Sequence, residues 1–347
     1  MVGRGPMTLK SFRASHGVSD TFLDNLDKLA HQNSISWWRD VLVRDDIFLA
    51  VRRDSLNVYH RGGSIFRIDD RGDGIPSPKT HVKYLVRQQQ VLAELIDGQF
   101  VPNAIGWTHY TGPETLNDMI RAASDLAGPE KTGLHPLIVG GATVIDVEVA
   151  LGRVGEAMPV ECPPDQPDTS RSTAFRNQDR LDVATLEQQG RNIAVVFHEA
   201  KHFTNPELRA RSGVPPVVGQ LRRYRTTLAH HAPALIERYQ AACRALVRLD
   251  AMTRAVRLAA GAAAPSVLDP LILEFAEGPT NRTIDPNARL IVFGFDADQK
   301  RGQLQTMLGA IRNAEPTVAI YAVGDPTSAG GAFRPPPPPK SRQKDHT

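Results

Sequence analysis

Glu199 and Lys201 stand two positions apart at the end of the apolar run 193–197, and Asp182 lies among apolar neighbours in the run 181–186. In an extended chain, residues two apart project to one side, so Glu199 and Lys201 are expected to serve a single site. Gln189-Gly190 punctuates the two runs as a turn, which reads as a hairpin. Antiparallel pairing then brings Asp182 towards Glu199. Two carboxylates side by side repel each other and require a cation between them, and a hard divalent ion with oxygen ligands meets that need. A lysine beside such an ion can hold or activate water and offset charge on a pentavalent phosphate. The chemistry implied is hydrolysis of a phosphodiester.

The segment after the hairpin contains "GQLRRYR". Gln220 and Tyr224, four apart, share a helical face and are expected to reach back to the same site. Arg222, Arg223 and Arg225 surround them, and guanidinium groups suit phosphate contacts. Between 201 and 257 the chain has 11 Lys/Arg against 3 Asp/Glu, although the net charge of all 347 residues is only +3. A basic segment of this kind either tracks a polyanion or forms a solvated helix face.

Those residues need elements to position them. The runs 47–54, 56–63 and 64–70 read as a short antiparallel meander, preceded by Trp37-Trp38, a pair expected in the core. Residues 80–98 carry Val82, Leu85, Val86, Leu92, Leu95 and Ile96 at helical spacing, with Thr80 to cap and Gly98 to stop a helix. A second unit starts near Thr111 with a helix opened by Pro113. The stretch 135–152 reads as one or two strands with Asp146 and Glu148 in alternation. Residues 155–180 lack periodicity and are expected to be a long loop. Two helices flanking Pro233 follow, then a strand, helix and strand over 288–324. The expected domains are 1–110, a small α+β unit; 111–328, an α/β unit; and 329–347, a disordered proline-rich tail with Pro335 to Pro339 available to a partner.

At this point the sequence resembles the PD-(D/E)XK nuclease superfamily, whose motif is an Asp followed by Glu-X-Lys on the next strand, here Asp182 and Glu199-Ala200-Lys201. The branch with Gln-X-X-X-Tyr on the following helix is matched by Gln220 and Tyr224. The resemblance covers 111–325 and implies a restriction-endonuclease-like mixed sheet with an αβββαβ core. It implies that Asp182, Glu199 and the Ala200 carbonyl bind Mg2+, with Mn2+ able to substitute, and that Lys201 handles the nucleophile. A further glutamate often joins the set, and Glu114 and Glu148 both qualify. The proline of the family name is absent, since Leu181 precedes Asp182. The expected function is a metal-dependent nuclease acting on nucleic acid, with DNA the first substrate to test, in defence, restriction or repair. The alternative is a non-catalytic nucleic-acid-binding protein that retains the fold.

Other candidates have plainer readings. Asp296 and Asp298 suit a helix cap, His198 should face away from Glu199, and His202, His230 and His231 lack zinc-like spacing. Two cysteines, Cys162 and Cys243, support neither a disulfide framework nor a zinc site. No apolar run of about 18 residues is present to span a membrane, and the N-terminus lacks the apolar stretch of a secretory signal. A cytoplasmic protein is expected, with a protein partner or a second copy open to the N-terminal unit or tail.

Overall fold

The structure, a computed structural model, describes residues 17–32, 35–86, 94–96, 99–101, 106–154, 178–210, 212–265, 267–328 and 333. The fold is α/β, with an antiparallel four-stranded sheet and a larger mixed sheet. Helices α1 (Asp20–Ala30) and α2 (Trp37–Val43) precede β1 (Phe48–Arg52), β2 (Ser55–His60), β3 (Gly63–Asp70) and β4 (Pro76–Lys79), which form the first sheet in sequential order. This is the expected meander.

The expected helix over 80–98 does not form. Val82–Tyr84 is a single 3-10 turn, Val86 bridges to Gly106, and Glu94–Ile96 is a strand, β5, paired with β6 (Gln99–Val101); residues 87–93 lie outside the described residues. Helical spacing needs a face to bury, and Val82 is left 75% exposed while the Leu85 carbonyl accepts the Trp107 N–H at 2.6 Å. Tertiary pairing therefore wins over local pattern.

Helix α3 (Pro113–Leu126) begins at its proline as expected. The next stretch differs: α4 (Pro129–Val139) takes up residues 135–139, and the strand β7 (Val144–Gly152) starts only after them. β8 (Gln178–Gln189) and β9 (Asn192–His202) are the expected hairpin, turning at Gly190 with φ +61. Residues 178–180, read as loop, belong to β8; 155–177 lie outside the described residues.

Helix α5 (Pro216–Ala259) is continuous for 44 residues and carries Pro233 inside it. A proline there removes one helical hydrogen bond at a cost of about 3 kcal/mol. Leu228 and His231 before it, and Leu235 and Tyr239 after it, are all buried, so packing of both halves outweighs that loss. Next come α6 (Pro270–Glu277), β10 (Asn281–Ile284), β11 (Arg289–Phe293), α7 (Ala297–Arg301), α8 (Gln303–Ala314) and β12 (Ile320–Val323). Asp296 caps α7 in a capping box with Gln299, as its sequence position suggested.

The mixed sheet runs β12-β11-β9-β8-β7, with β10 alongside the first half of β9. β9 is central, antiparallel to β8 and parallel to β11. The boundary near residue 110 separates two sheets but not two cores: Trp38, Leu56 and Tyr84 share one apolar cluster with Val149, Leu181 and Tyr239. The expectation that residues 329–347 bury nothing fails at Phe333, which is buried and meets His198 edge-on at 5.1 Å; 329–332 and 334–347 lie outside the described residues. Among the described residues no helix is long and apolar enough to cross a membrane.

Candidate active site

Alternation along β9 decides where the polar residues go. Ile193, Val195 and Phe197 pack in the large core cluster, and Glu199 and Lys201 continue that side at the strand end. His198 takes the opposite side, fully buried, with its Nε2 against Thr185 Oγ1 at 2.9 Å. Burial, then the charge of Arg289, lowers its pKa to about 3, so it packs as a neutral ring.

Asp182 sits one residue beyond the last registered pair of the hairpin, Val183 with His198. Its Oδ2 accepts the Ala200 N–H at 2.8 Å, so a side chain takes over where the backbone ladder ends. Its Oδ1 meets Lys131 Nζ, also at 2.8 Å. The same ammonium contacts Glu148 Oε1. Glu148 has φ 53, a left-handed conformation that costs a non-glycine residue about 1–3 kcal/mol. The consequence is visible on either side of it: Val147 packs in the smaller core cluster and Val149 in the larger. The strain turns the Glu148 carboxylate towards Asp182. Glu114 stays exposed in the first turn of α3, so of the two glutamates left open by sequence, Glu148 is the one at the site.

Glu199 is 3% exposed and fully engaged. Oε1 takes Lys201 Nζ at 2.7 Å and Gln220 Nε2 at 3.0 Å; Oε2 lies 3.0 Å from the Tyr224 hydroxyl. Gln220 also donates to Tyr224 at 2.6 Å, and the tyrosine hydroxyl lies 2.5 Å from the Arg180 carbonyl. One turn of α5 therefore delivers both residues to the end of β9, as their spacing implied. Burial and then the charge of Asp182 raise the Glu199 carboxyl above its usual range, against the pull of Lys201. Burial and Glu199 raise the Tyr224 phenol, keeping it a hydrogen-bond donor. For Lys201, burial opposes the charge, but Glu199 and then Glu207, whose Oε2 is 2.7 Å away, outweigh it and raise its pKa.

Among the described residues, no three His, Cys, Asp or Glu side chains are gathered closely enough to hold a metal ion. The carboxylates of this site are instead divided between two lysines, Lys131 for Asp182 and Glu148, and Lys201 for Glu199.

The arginines of α5 part company. Arg222 and Arg225 clamp Glu315 from two sides, at 2.8 Å each, away from Gln220 and Tyr224. Arg223 stays half-exposed beside Asp179, at 3.8 Å, with Arg153 on the same carboxylate at 3.2 Å. Much of the basic excess of α5 is thus taken by acidic partners on other elements, including Arg244 with Glu277 and Arg248 with Asp24. Partly exposed arginines near the site include Arg153, Arg180 and Arg223.

Sequence reasoning missed Lys131. Its signal is a cation in the first turn of a helix, after Pro129 and Glu130, where the helix dipole disfavours positive charge. Such a residue needs carboxylates elsewhere. The rest of the placement is tertiary: Glu130 Oε1 accepts the His202 N–H at 3.0 Å and the Asn205 side chain at 2.9 Å. Gly133 lets α4 close on the sheet, because a Cβ there would lie 2.4 Å from the Phe293 ring.

Compared with known proteins, the chain matches no family model, and it has no significant match among curated proteins or solved structures.

Proposed function

We propose that this protein is a metal-dependent nuclease of the PD-(D/E)XK type, with DNA the expected substrate and Mg2+ or Mn2+ the expected ion. The observation that carries the reading is the convergence of Asp182, Glu148, Glu199, Lys201, Gln220 and Tyr224 at one end of the mixed sheet. The order helix, three antiparallel strands, helix, parallel strand supports it as well.

The donor set fits a hard cation. Carboxylate oxygens from adjacent strands, Asp182 and Glu148, already converge on a single positive charge. Asp182, Glu148 and the Ala200 carbonyl would hold the ion; Glu199, held by Lys201, Gln220 and Tyr224 in the metal-free protein, would join them only by turning out of that cluster. When bound, it would polarise the phosphate and lower the pKa of water. Lys201 holds a positive charge next to Glu199, placed to orient water and offset charge on the phosphate. Gln220 and Tyr224 fix the Glu199 carboxylate. Arg153, Arg180 and Arg223 are placed to contact phosphates along the strand, in preference to Arg222 and Arg225.

A second reading, a nucleic-acid-binding protein without cleavage, is favoured by the two lysines that already neutralise the carboxylates. One panel separates them: circular and linear DNA, single strands and RNA, each with Mg2+ or Mn2+, against Lys201→Ala. Cleavage that falls about a hundredfold or more in Lys201→Ala is the expected result. Equal cleavage by both proteins would refute the assignment, and binding without cleavage would favour the second reading.

A further inference from the structure

The Lys131 ammonium stands where carboxylates from β7 and β8 converge, 2.8 Å from Asp182 Oδ1 and in contact with Glu148 Oε1. Two anchors set where its side chain starts. Glu130, the preceding residue, is tied to the end of β9 through His202 and Asn205. The aliphatic stem lies across Gly62 in the turn between β2 and β3, where a Cβ would come within 2.9 Å of Lys131 Cδ. Gly62 has φ +76, so the turn both needs a glycine and leaves room for the stem.

We propose that Lys131 is an internal competitor for the divalent ion: its ammonium fills the cation position between Asp182 and Glu148, and metal entry requires the tip to swing out. The inference rests on the reading of the site as a metal centre. Metal–oxygen contacts of about 2.0–2.6 Å place an ion within the gap that Nζ fills, so the two cations exclude each other. A single ammonium neutralises half of the charge of two carboxylates, whereas a divalent ion neutralises all of it. The lysine stem has four rotatable carbons, and the side chain is about a third exposed, so withdrawal into solvent is open to it. Lys131 then sets the metal concentration at which the site fills, and the β2–β3 turn of the N-terminal sheet holds the base of that gate.

Lys131→Met retains the stem over Gly62 and removes the charge. Calorimetric titration of Mn2+ and Ca2+ into wild type and Lys131→Met should show tighter binding in the variant, by about tenfold or more, the scale at which residues act on a metal through its ligands. In chelator the variant should melt below wild type, because Asp182 and Glu148 lose their shared ammonium and Glu148 keeps only the half-exposed Arg180 at 3.9 Å. Saturating Mn2+ should close that difference. Adding Asp182→Asn to Lys131→Met should remove the gain in affinity, locating the ion. Lys131→Gln is read in the same way if the methionine variant does not fold. Equal or weaker binding in the variants, with wild type binding normally, overturns the role of Lys131 and leaves the metal site standing. No binding by wild type or variant overturns both.

Discussion

Asp146 and Glu148 lie two residues apart on β7, and both meet cations brought by other elements, yet the clusters differ in what they leave free. Asp146 is almost fully buried. It contacts Arg52 of β1 and takes Tyr239 at 3.1 Å and Arg238 at 3.6 Å, both from α5. Arg52 also donates to the Val147 carbonyl, so one guanidinium joins the two sheets. Glu148 has one flexible ammonium and, at 3.9 Å, the half-exposed Arg180. A forked guanidinium in a closed core fixes an interface, whereas an ammonium at an open edge can leave. His198, next in sequence to Glu199, makes a third cluster of the closed kind, under Phe333. Closed and open polar clusters thus alternate along the same two strands, and backbone geometry at Glu148 and strand alternation at His198 assign each residue to its cluster.

Removing the acid from a closed cluster should hurt most. Asp146→Ala removes the buried carboxylate that Arg52, Arg238 and Tyr239 share and is expected to lose about 3–5 kcal/mol of stability. Glu148→Gln should change stability by less than about 1 kcal/mol, since its partner is partly exposed and still has Asp182. Denaturant unfolding of the metal-free proteins checks both, and equal losses would erase the distinction between the clusters. Next in size is the cover over His198. Phe333→Ala should cost about 1.5–3 kcal/mol through lost burial, and deletion from residue 330 onward should cost at least as much. A deletion without effect on the melting temperature would show that this cluster is not closed by Phe333.

A further effect is one of pH. The folded protein keeps His198 neutral down to about 3, whereas an unfolded chain protonates it near an ordinary value of about 6.5. The contribution is therefore complete above about 6.5 and is lost as pH falls from there towards 3. The slope reaches about 1.4 kcal/mol per pH unit. His135, whose pKa burial lowers to about 4, adds to the same trend. Over about pH 6.5 to 5, falling pH should cost His198→Gln less stability than wild type, the raised Glu199 carboxyl acting alike in both. Identical slopes would mean that His198 takes up protons in the fold.

The hairpin and the placement of its polar side chains were legible because their geometry is local. A period of two and a glycine turn place Asp182, Glu199 and Lys201, and a period near four places Gln220 and Tyr224. Lys131 was not legible as a partner, because its position depends on Glu130 reaching β9 and on Gly133 meeting Phe293, contacts between elements far apart in sequence. The helix expected over 80–98 and the break expected at Pro233 failed for opposite reasons. In the first case bridge and strand pairing at Val86 and Glu94–Ile96 overrode a helical pattern; in the second a breaker was overruled by two buried faces. The arginines of α5 were legible as a group, but composition does not say which of them find acids elsewhere.

The uninterrupted run of α5 across Pro233 makes it a ruler and a protractor at once. Gln220 and Tyr224 touch the site near one end, Arg238 and Tyr239 close the Asp146 cluster in the middle, and Met252 receives the Trp38 indole near the other. From Gln220 to Met252 the helix rises about 48 Å, and every residue added or removed between them turns one end against the other by about 100°. The spacing of those three stations is therefore fixed in number as well as in kind: substitutions along the exposed face leave the phase intact, whereas one inserted residue would point Gln220 away from Glu199 while every side chain remained present.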